Sequence, residues 1–230
     1  SLGSGGDTFT VASTHANNTV LNTNGGGDTV HLQTVAGVTV VNTGAGSDTT
    51  NVQTIDAKTT VNAGDDADKI NVGSKAPDVN GNVNGISASL NVYGEAGSDT
   101  VNVDDTSDTS DNTGNLTGTA LTGLGMSAGI TYGTVETLNI SLGSGGDTFT
   151  VASTHANNTV LNTLGGGDTV HVQTTAGVTV VNTGAGADTA NVKAISAATT
   201  VNAGAEADTI NVGSKAPDVN GNVNTISASL

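Results

Sequence analysis

The most regular feature of the chain is a short alternation of apolar and polar residues that recurs after a glycine-rich turn. It reads Asp28-Thr-Val-His-Leu in one place and Asp99-Thr-Val-Asn-Val in another. Alternation with a period of two is typical of a strand with one buried face. The pattern therefore predicts that Val30 and Leu32 point inward and that Thr29 and His31 point outward.

A second apolar–polar strand precedes each glycine turn, and a plainer turn joins the two strands. One coil is thus strand, turn, strand and Gly-Asp turn, in 20 or 21 residues. Because so short a unit cannot bury its own apolar face, it must stack on its neighbours. We predict an all-β fold, a right-handed parallel β-solenoid of two sheets in which each coil rises roughly 4.8 Å. The preceding strands are predicted at Thr19–Asn22, Thr39–Asn42, Thr59–Asn62, Leu90–Val92 and Leu138–Ile140.

A longer repeat contains these coils. Residues 1–90 return as residues 141–230 with 13 differences, Asn24 against Leu164 among them. We divide the chain into a full repeat, 1–140, with about six coils, and a partial second copy, 141–230, and we expect it to be an excerpt of a longer array. Two insertions, 74–88 and 104–115, are predicted to be loops on the side of the solenoid, and residues 116–140 a further coil without an aspartate turn.

The charge of the chain limits the classes of partner that it is expected to bind. There are 21 acidic residues against five basic ones, for a net charge of −16. Nucleic acid is excluded as a partner because basic contacts to phosphate dominate that binding. No apolar run reaches membrane-spanning length, which argues against membrane insertion. The chain has no cysteine, so it offers neither disulfides nor thiolate ligands. Cations are the natural partners of such a surface.

The glycine turns carry the candidate chemistry. Glycines two and four residues before the marker aspartate allow left-handed backbone angles, so that carbonyls and the carboxylate can face one concavity. Stacked coils would place the aspartates in a row, where they repel each other, and Ca²⁺ would relieve this by accepting six to eight oxygens. The predicted ligands are Asp7, Asp28, Asp48, Asp68, Asp99, Asp147, Asp168, Asp188 and Asp208, with Gly3, Gly5, Gly44, Gly46, Gly143, Gly145, Gly184 and Gly186, and with the acids Asp66, Asp104 and Asp105.

The pattern GxGxD, followed by any residue, an apolar residue and any residue, is matched best by the segments Gly3–Val11, Gly44–Val52, Gly143–Val151 and Gly184–Val192. This resembles the nonapeptide of hemolysin-type calcium-binding repeats. The resemblance implies a parallel β-roll with calcium between neighbouring turns. The whole chain is also similar to the repeat regions of very large bacterial surface and secreted proteins, which implies an extracellular or cell-surface structural or adhesive role.

The acidic residues also allow roles other than calcium binding. An aspartate before threonine in a glycine turn can cap its own backbone N–H groups without any ion. The acidic run that contains Asp104, Asp105, Asp108 and Asp111 is either a second calcium locus or a solvated loop. No nucleophile elbow, HExxH or Walker motif is present, so we expect no enzyme.

The leading functional prediction is a calcium-stabilised structural rod in a giant surface, fibre or matrix protein. We expect its partners to be neighbouring copies of itself, end to end or lateral. The alternative is an adhesin stalk whose side loops contact a glycan or another surface. A third prediction, ice binding, rests on the outward row Thr8, Thr29 and Thr49.

Overall fold

The computed structural model describes residues 1–230 and contains 20 strands in two sheets, with no helix. The prediction of an all-β parallel solenoid is confirmed. The chain divides into two compact units, Ser1–Asp105 with Gly125–Leu138, and Thr106–Leu124 with Asn139–Leu230. The first unit therefore lies entirely before the boundary that the sequence repeat places at residue 140, whereas the second unit takes residues from both sides of it.

In the first unit, the strands that follow the marker aspartates pair in parallel in one sheet, and the strands that precede the turns pair in the other. The alternation buries one side of each strand, as in Thr29–Leu32, where Val30 and Leu32 are fully buried. The first sheet contains β1 (Thr8–Val11), β3 (Thr29–Leu32), β5 (Thr49–Val52), β7 (Lys69–Val72) and β9 (Thr100–Asp104); the second contains β2 (Thr19–Asn22), β4 (Thr39–Ala45), β6 (Thr59–Asp65), β8 (Leu90–Ala96) and β12 (Ile130–Gly133).

The second unit repeats this arrangement and begins with a hairpin. Strands β10 (Thr113–Leu116) and β11 (Ala120–Gly123) pair antiparallel, and β10 also pairs in parallel with β14. The remaining strands are β13 (Thr137–Ser141), which crosses the unit boundary, β14 (Thr148–Val151), β15 (Asn158–Asn162), β16 (Thr169–Val172), β17 (Thr179–Asn182), β18 (Thr189–Val192), β19 (Thr199–Asn202) and β20 (Thr209–Val212).

This hairpin corrects part of the sequence analysis. Residues 104–115 were expected to be a loop, but β9 extends to Asp104 and β10 begins at Thr113. The segment 116–140 was expected to be one plain coil, and it instead contains β11, β12 and most of β13. Leu116 and Leu121 face each other across the hairpin and are buried, which explains why their apolar character resembled that of a coil.

The insertion 74–88 is packed rather than solvated. Val83 and Ile86 are fully buried, and Ile86 forms a parallel bridge with Ile55. The Gln53 side-chain amide donates to the carbonyl of Ala76 at 2.8 Å. The insertion therefore extends the core beside the plain turns, while its tip is open to solvent, with Val79 68% exposed.

Amide side chains form rows on the outward faces of both sheets. Asn42 Nδ2 donates to Asn22 Oδ1 at 2.6 Å, and Asn62 Nδ2 donates to Asn42 Oδ1 at 2.7 Å. The same contact recurs in the second unit between Asn182 and Asn162 at 2.7 Å. Such amide ladders form because identical residues stack at the strand spacing, and they fix the register of successive coils.

Candidate functional site

The marker aspartates lie inside the solenoid and not in an open concavity. Each one has the same parity as the inward residues of its strand, since Asp28 is followed by Val30 and Leu32 on the same face. Seven of them are between 1% and 3% exposed, and the other two, Asp7 and Asp208, are partly exposed. The buried seven are Asp28, Asp48, Asp68, Asp99, Asp147, Asp168 and Asp188.

In every marker aspartate except Asp7, one carboxylate oxygen accepts a backbone N–H from the preceding coil; Asp7 instead accepts the N–H of Gly3 in its own turn. The backbone N–H of Asp28 donates to Asp48 Oδ1 at 2.6 Å, and that of Asp48 donates to Asp68 Oδ1 at 2.8 Å. The second unit repeats the contact, with Asp147 N–H donating to Asp168 Oδ1 at 2.8 Å and Asp168 N–H to Asp188 Oδ1, also at 2.8 Å. The aspartates therefore form a one-directional hydrogen-bonded row in each unit.

At one end of each row, the hydrogen-bond partner is a residue other than a marker aspartate. The N–H of Asp99 donates to Glu136 Oε2 at 2.7 Å, so a glutamate takes the place of the next aspartate. In the second unit, the N–H of Asn112 donates to Asp147 Oδ1 at 2.8 Å. The sequence analysis did not identify Glu136 as part of the row because no glycine turn precedes it.

The second carboxylate oxygen has a different environment. Oδ2 is buried and has no hydrogen-bond partner in Asp28, Asp48, Asp68, Asp99 and Asp188. At Asp168, however, Oδ2 lies 2.5 Å from the hydroxyl of Thr163. Most buried polar atoms in proteins are hydrogen-bonded, so five unpartnered oxygens in two rows require a physical explanation.

Burial shifts the acidity of five of the seven buried aspartates. Desolvation is the largest cause at each, and it raises the pKa of Asp68 to about 7 and that of Asp147 to about 6. It also raises the pKa of Asp48, Asp99 and Asp168 above the ordinary value. Repulsion from neighbouring acids acts in the same direction. The backbone hydrogen bonds to Oδ1 oppose it, as do the nearby hydroxyls of Thr43 at Asp48 and of Thr163 at Asp168.

The glycine-turn carbonyls are also hydrogen-bonded from coil to coil. The carbonyl of Asn24 accepts the N–H of Ala45 at 2.8 Å, and the carbonyl of Ala45 accepts the N–H of Gly26, also at 2.8 Å. Strands β4 and β6 continue into this turn, where Gly44 pairs with Gly64. The backbone oxygens that a cation would need are therefore already acceptors in the inter-coil ladder.

The predicted left-handed glycines occur in only one of the two turn types. Gly44, Gly46, Gly184 and Gly186 have φ angles between +91° and +130°. The turns at Gly3–Gly5 and Gly143–Gly145 lie outside the left-handed region. The GxGxD pattern, which all four segments share, thus does not specify one backbone conformation.

The other predicted acids also bind backbone N–H groups. Asp66 Oδ2 accepts the N–H of Gly46 at 3.2 Å. Asp104 Oδ2 accepts the N–H of Gly81 at 2.7 Å, and Asp105 Oδ1 accepts the N–H of Val83 at 3.0 Å. Asp104 and Asp105 therefore hold the insertion 74–88 against the core.

Taken together, these residues do not fit a calcium site. Calcium requires six to eight oxygens converging at 2.3–2.6 Å. No group of three or more Asp, Glu, His or Cys side chains is arranged to hold a metal ion. In every marker aspartate except Asp7, Oδ1 accepts a backbone N–H, and the unpartnered Oδ2 atoms are buried. Calcium binding stays a prediction from the sequence, and the geometry favours the capping alternative.

The row also includes residues that the sequence analysis missed. Thr23, Thr163 and Thr183 lie five residues before their aspartates and donate their hydroxyls to carbonyls one coil along, at 2.7, 2.8 and 2.7 Å. A threonine recurring five residues before the marker aspartate was the available signal. These hydroxyls run beside the carboxylates and bind the same pairs of coils together.

Comparison with known proteins does not assign the chain to a family: no family model, no curated protein and no solved structure matches it. None of its elements is a helix long and apolar enough to span a bilayer.

Proposed function

We propose that the chain is a structural repeat, a rigid spacer within a large extracellular or cell-surface protein of bacterial type. The observation that supports this proposal is the continuity of side-chain ladders from coil to coil. Aspartate, threonine and asparagine each bind the equivalent residue, or its neighbour, in the next coil. Such side-chain bonds add to the parallel strand pairing and make each coil dependent on the next one.

Single-molecule force spectroscopy tests this function. With handles at its two ends, a load-bearing repeat should resist extension and then unfold in discrete steps, one per unit or group of coils. Asp48→Ala, which removes one rung of the ladder, should lower the unfolding force of the first unit and leave that of the second unchanged. Extension without a force peak would contradict a mechanical role.

A binding role is the second candidate. The tips of the two equivalent insertions expose a valine each, with Val79 68% and Val219 79% exposed. An ordered loop with an exposed apolar tip is able to contact another surface. A glycan array probed with the wild-type chain and with a Val79→Ser/Val219→Ser variant tests this alternative, which requires binding that the double substitution abolishes.

Self-association and calcium stabilisation are parts of the same proposal. The carboxylates on the surface give the chain a large negative charge, which cations would screen. Sedimentation velocity over a range of protein concentrations, with chelator and then with millimolar calcium, measures the association, and thermal melts under the same two conditions measure the stabilisation. Association that is absent under both conditions would leave a spacer role for single chains only.

A further inference from the structure

The charged groups that act on the buried aspartates are all acidic, and Lys69, which follows Asp68 in the chain, is exposed. The charged groups that act on Asp68 are Asp48, Asp99 and Asp66. For Asp99 the acting group is Glu136, and for Asp48 the acting groups are Asp28 and Asp66.

The second unit has the same character. Asp168, Asp108 and Asp111 act on Asp147, and Asp188 acts on Asp168. No lysine or histidine is among these neighbours in either unit. An ionised row would therefore be a line of like charges without a counter-ion inside the protein.

The unpartnered Oδ2 atoms make ionisation costly. A carboxylate that is buried without a partner for one oxygen loses most of its hydration, whereas the neutral acid loses far less. Groups in such surroundings usually bind a proton instead of retaining the charge. The neutral form still has an oxygen that accepts the N–H of the preceding coil, so protonation leaves the ladder intact.

The contact between Thr163 and Asp168 indicates where a proton lies. The Thr163 hydroxyl is 2.8 Å from the carbonyl of Thr183 and 2.5 Å from Asp168 Oδ2. A hydroxyl has one proton, and Thr23 and Thr183 give theirs to the carbonyl one coil along. If Thr163 does the same, the short contact needs a proton from Asp168, because two oxygens at hydrogen-bond distance need one between them.

We propose that five buried members of the aspartate rows are hydrogen-bonded carboxylic acids, neutralised by protons and not by metal ions: Asp48, Asp68, Asp99, Asp147 and Asp168. This inference departs from the calcium expectation and does not depend on the proposed structural function. The direction of the pKa shifts agrees with it. The chain would then be a structure whose internal ladder is sensitive to pH.

The raised pKa values of the buried aspartates determine how the stability of the folded state changes with pH. A group with a raised pKa in the folded state binds more protons there than in the unfolded chain, so stability falls as pH rises. The stability that the raised pKa values contribute to the folded state is fully present below the ordinary aspartate pKa near 3.9. It is lost as pH rises through the folded values of about 6 for Asp147 and about 7 for Asp68.

Two measurements on the wild-type chain in chelator test the proposal. Infrared spectroscopy should detect the C=O stretch of protonated carboxyl groups in the folded protein at pH 5 to 6, where exposed aspartates are ionised. Thermal melts should show a midpoint lower at pH 8 than at pH 4.5 by roughly 5 °C or more. A folded protein without the protonated-carboxyl band, or a midpoint that rises with pH, would overturn it.

A substitution then assigns the effect to the row. Asp68→Asn retains an oxygen for the N–H of Asp48 and replaces Oδ2 with an uncharged amide. The variant should melt higher than wild type at pH 8, with a smaller pH dependence. Asp56→Asn, at an exposed site, is the matched control and should change neither the melting temperature at pH 8 nor its pH dependence. If Asp68→Asn instead melts lower at pH 8 and removes a calcium-dependent gain seen in wild type, the row binds metal ions and the proposal fails.

Discussion

The backbone N–H of Asp68 donates to Oδ1 of Asp99 at 2.9 Å, although the two residues are 31 positions apart. The equivalent contact from Asp48 to Asp68 spans 20 positions. The extra residues leave the solenoid after β7 and return at β8, so the row of aspartates is uninterrupted. The ladder follows the stacking of coils and not the distance along the chain, which explains how the fold accepts an insertion at this place.

The first prediction concerns the acceptor at each rung. Asp48→Ala removes the oxygen that binds the N–H of Asp28 and leaves that buried donor unpaired, whereas Asp48→Asn retains an oxygen there. Leaving a buried donor unpaired costs about 1–3 kcal/mol. We expect the alanine variant to be less stable than the asparagine variant by this amount in urea unfolding. Equal stability of the two would show that the rung contributes no hydrogen-bond energy.

The second prediction concerns the glycine turn at Gly44. Its φ is +103°, and a Cβ at this position would collide with the carbonyl of Asn24 in the preceding coil. Gly44→Ala should therefore destabilise the first unit by about 1–3 kcal/mol, measured as a shift in the urea midpoint. Gly5→Ala is the control, because a Cβ there has no heavy atom within 4 Å. If Gly44→Ala and Gly5→Ala both shift the urea midpoint by a similar small amount, the Gly44 turn accommodates a Cβ without a loss of stability.

The sequence predicted the coil well because strand alternation and stacking are local rules. Phe149, Val170 and Val192, for example, are buried where a period of two places them. The same rule would also have placed the aspartates inside, since Asp28 shares its parity with Val30. The expectation of a concavity lined by carbonyls and carboxylates was based instead on the GxGxD motif, which does not indicate on which side of the sheet the carboxylate lies.

Other features depend on contacts between distant residues and were not predictable from one sequence. The role of Glu136 in closing the first row depends on a contact with Asp99, 37 positions earlier. The hairpin β10–β11 depends on the pairing of Leu116 with Leu121 and on Gly114, which allows β10 to approach β14. Periodicity alone cannot distinguish such a hairpin from a coil, because both alternate with period two.

The third prediction concerns the insertion 74–88. The double substitution Asp104→Ala/Asp105→Ala removes the acceptors for the N–H groups of Gly81 and Val83. The amide hydrogens of these two residues should then exchange with solvent at least about tenfold faster. That factor corresponds to a decrease of about 1.4 kcal/mol in the free energy of local opening. The second copy offers an internal reference, because Val223 is 60% exposed whereas Val83 is fully buried.

Hydrogen exchange followed by NMR measures this effect at single residues. In the wild-type chain, Val223 should exchange faster than Val83, and the double variant should bring Val83 toward the rate of Val223. Asp78→Ala, at an exposed position of the same insertion, is the control and should leave both rates unchanged. Unchanged protection of Val83 in the double variant would show that apolar packing alone holds the insertion.

The last prediction concerns the packing of the hairpin on the second unit. Gly114 in β10 pairs with Phe149 in β14, and a Cβ at Gly114 would press on the Phe149 ring and on Leu124. Gly114→Ala should destabilise the second unit by about 1–3 kcal/mol through overpacking. Gly165→Ala is the matched control, because its added Cβ meets only the carbonyl of Ala185 at an ordinary 3.6 Å.

A second substitution separates overpacking from a general loss of strand geometry. Phe149→Leu removes the ring edge, so the cost of Gly114→Ala should be smaller in the Phe149→Leu background than in wild type. The coupling in this double-mutant cycle should be at least about 0.5 kcal/mol. Additive effects of the two substitutions in urea unfolding would mean that the ring does not limit the approach of β10. The glycine would then be required by the backbone of the hairpin itself.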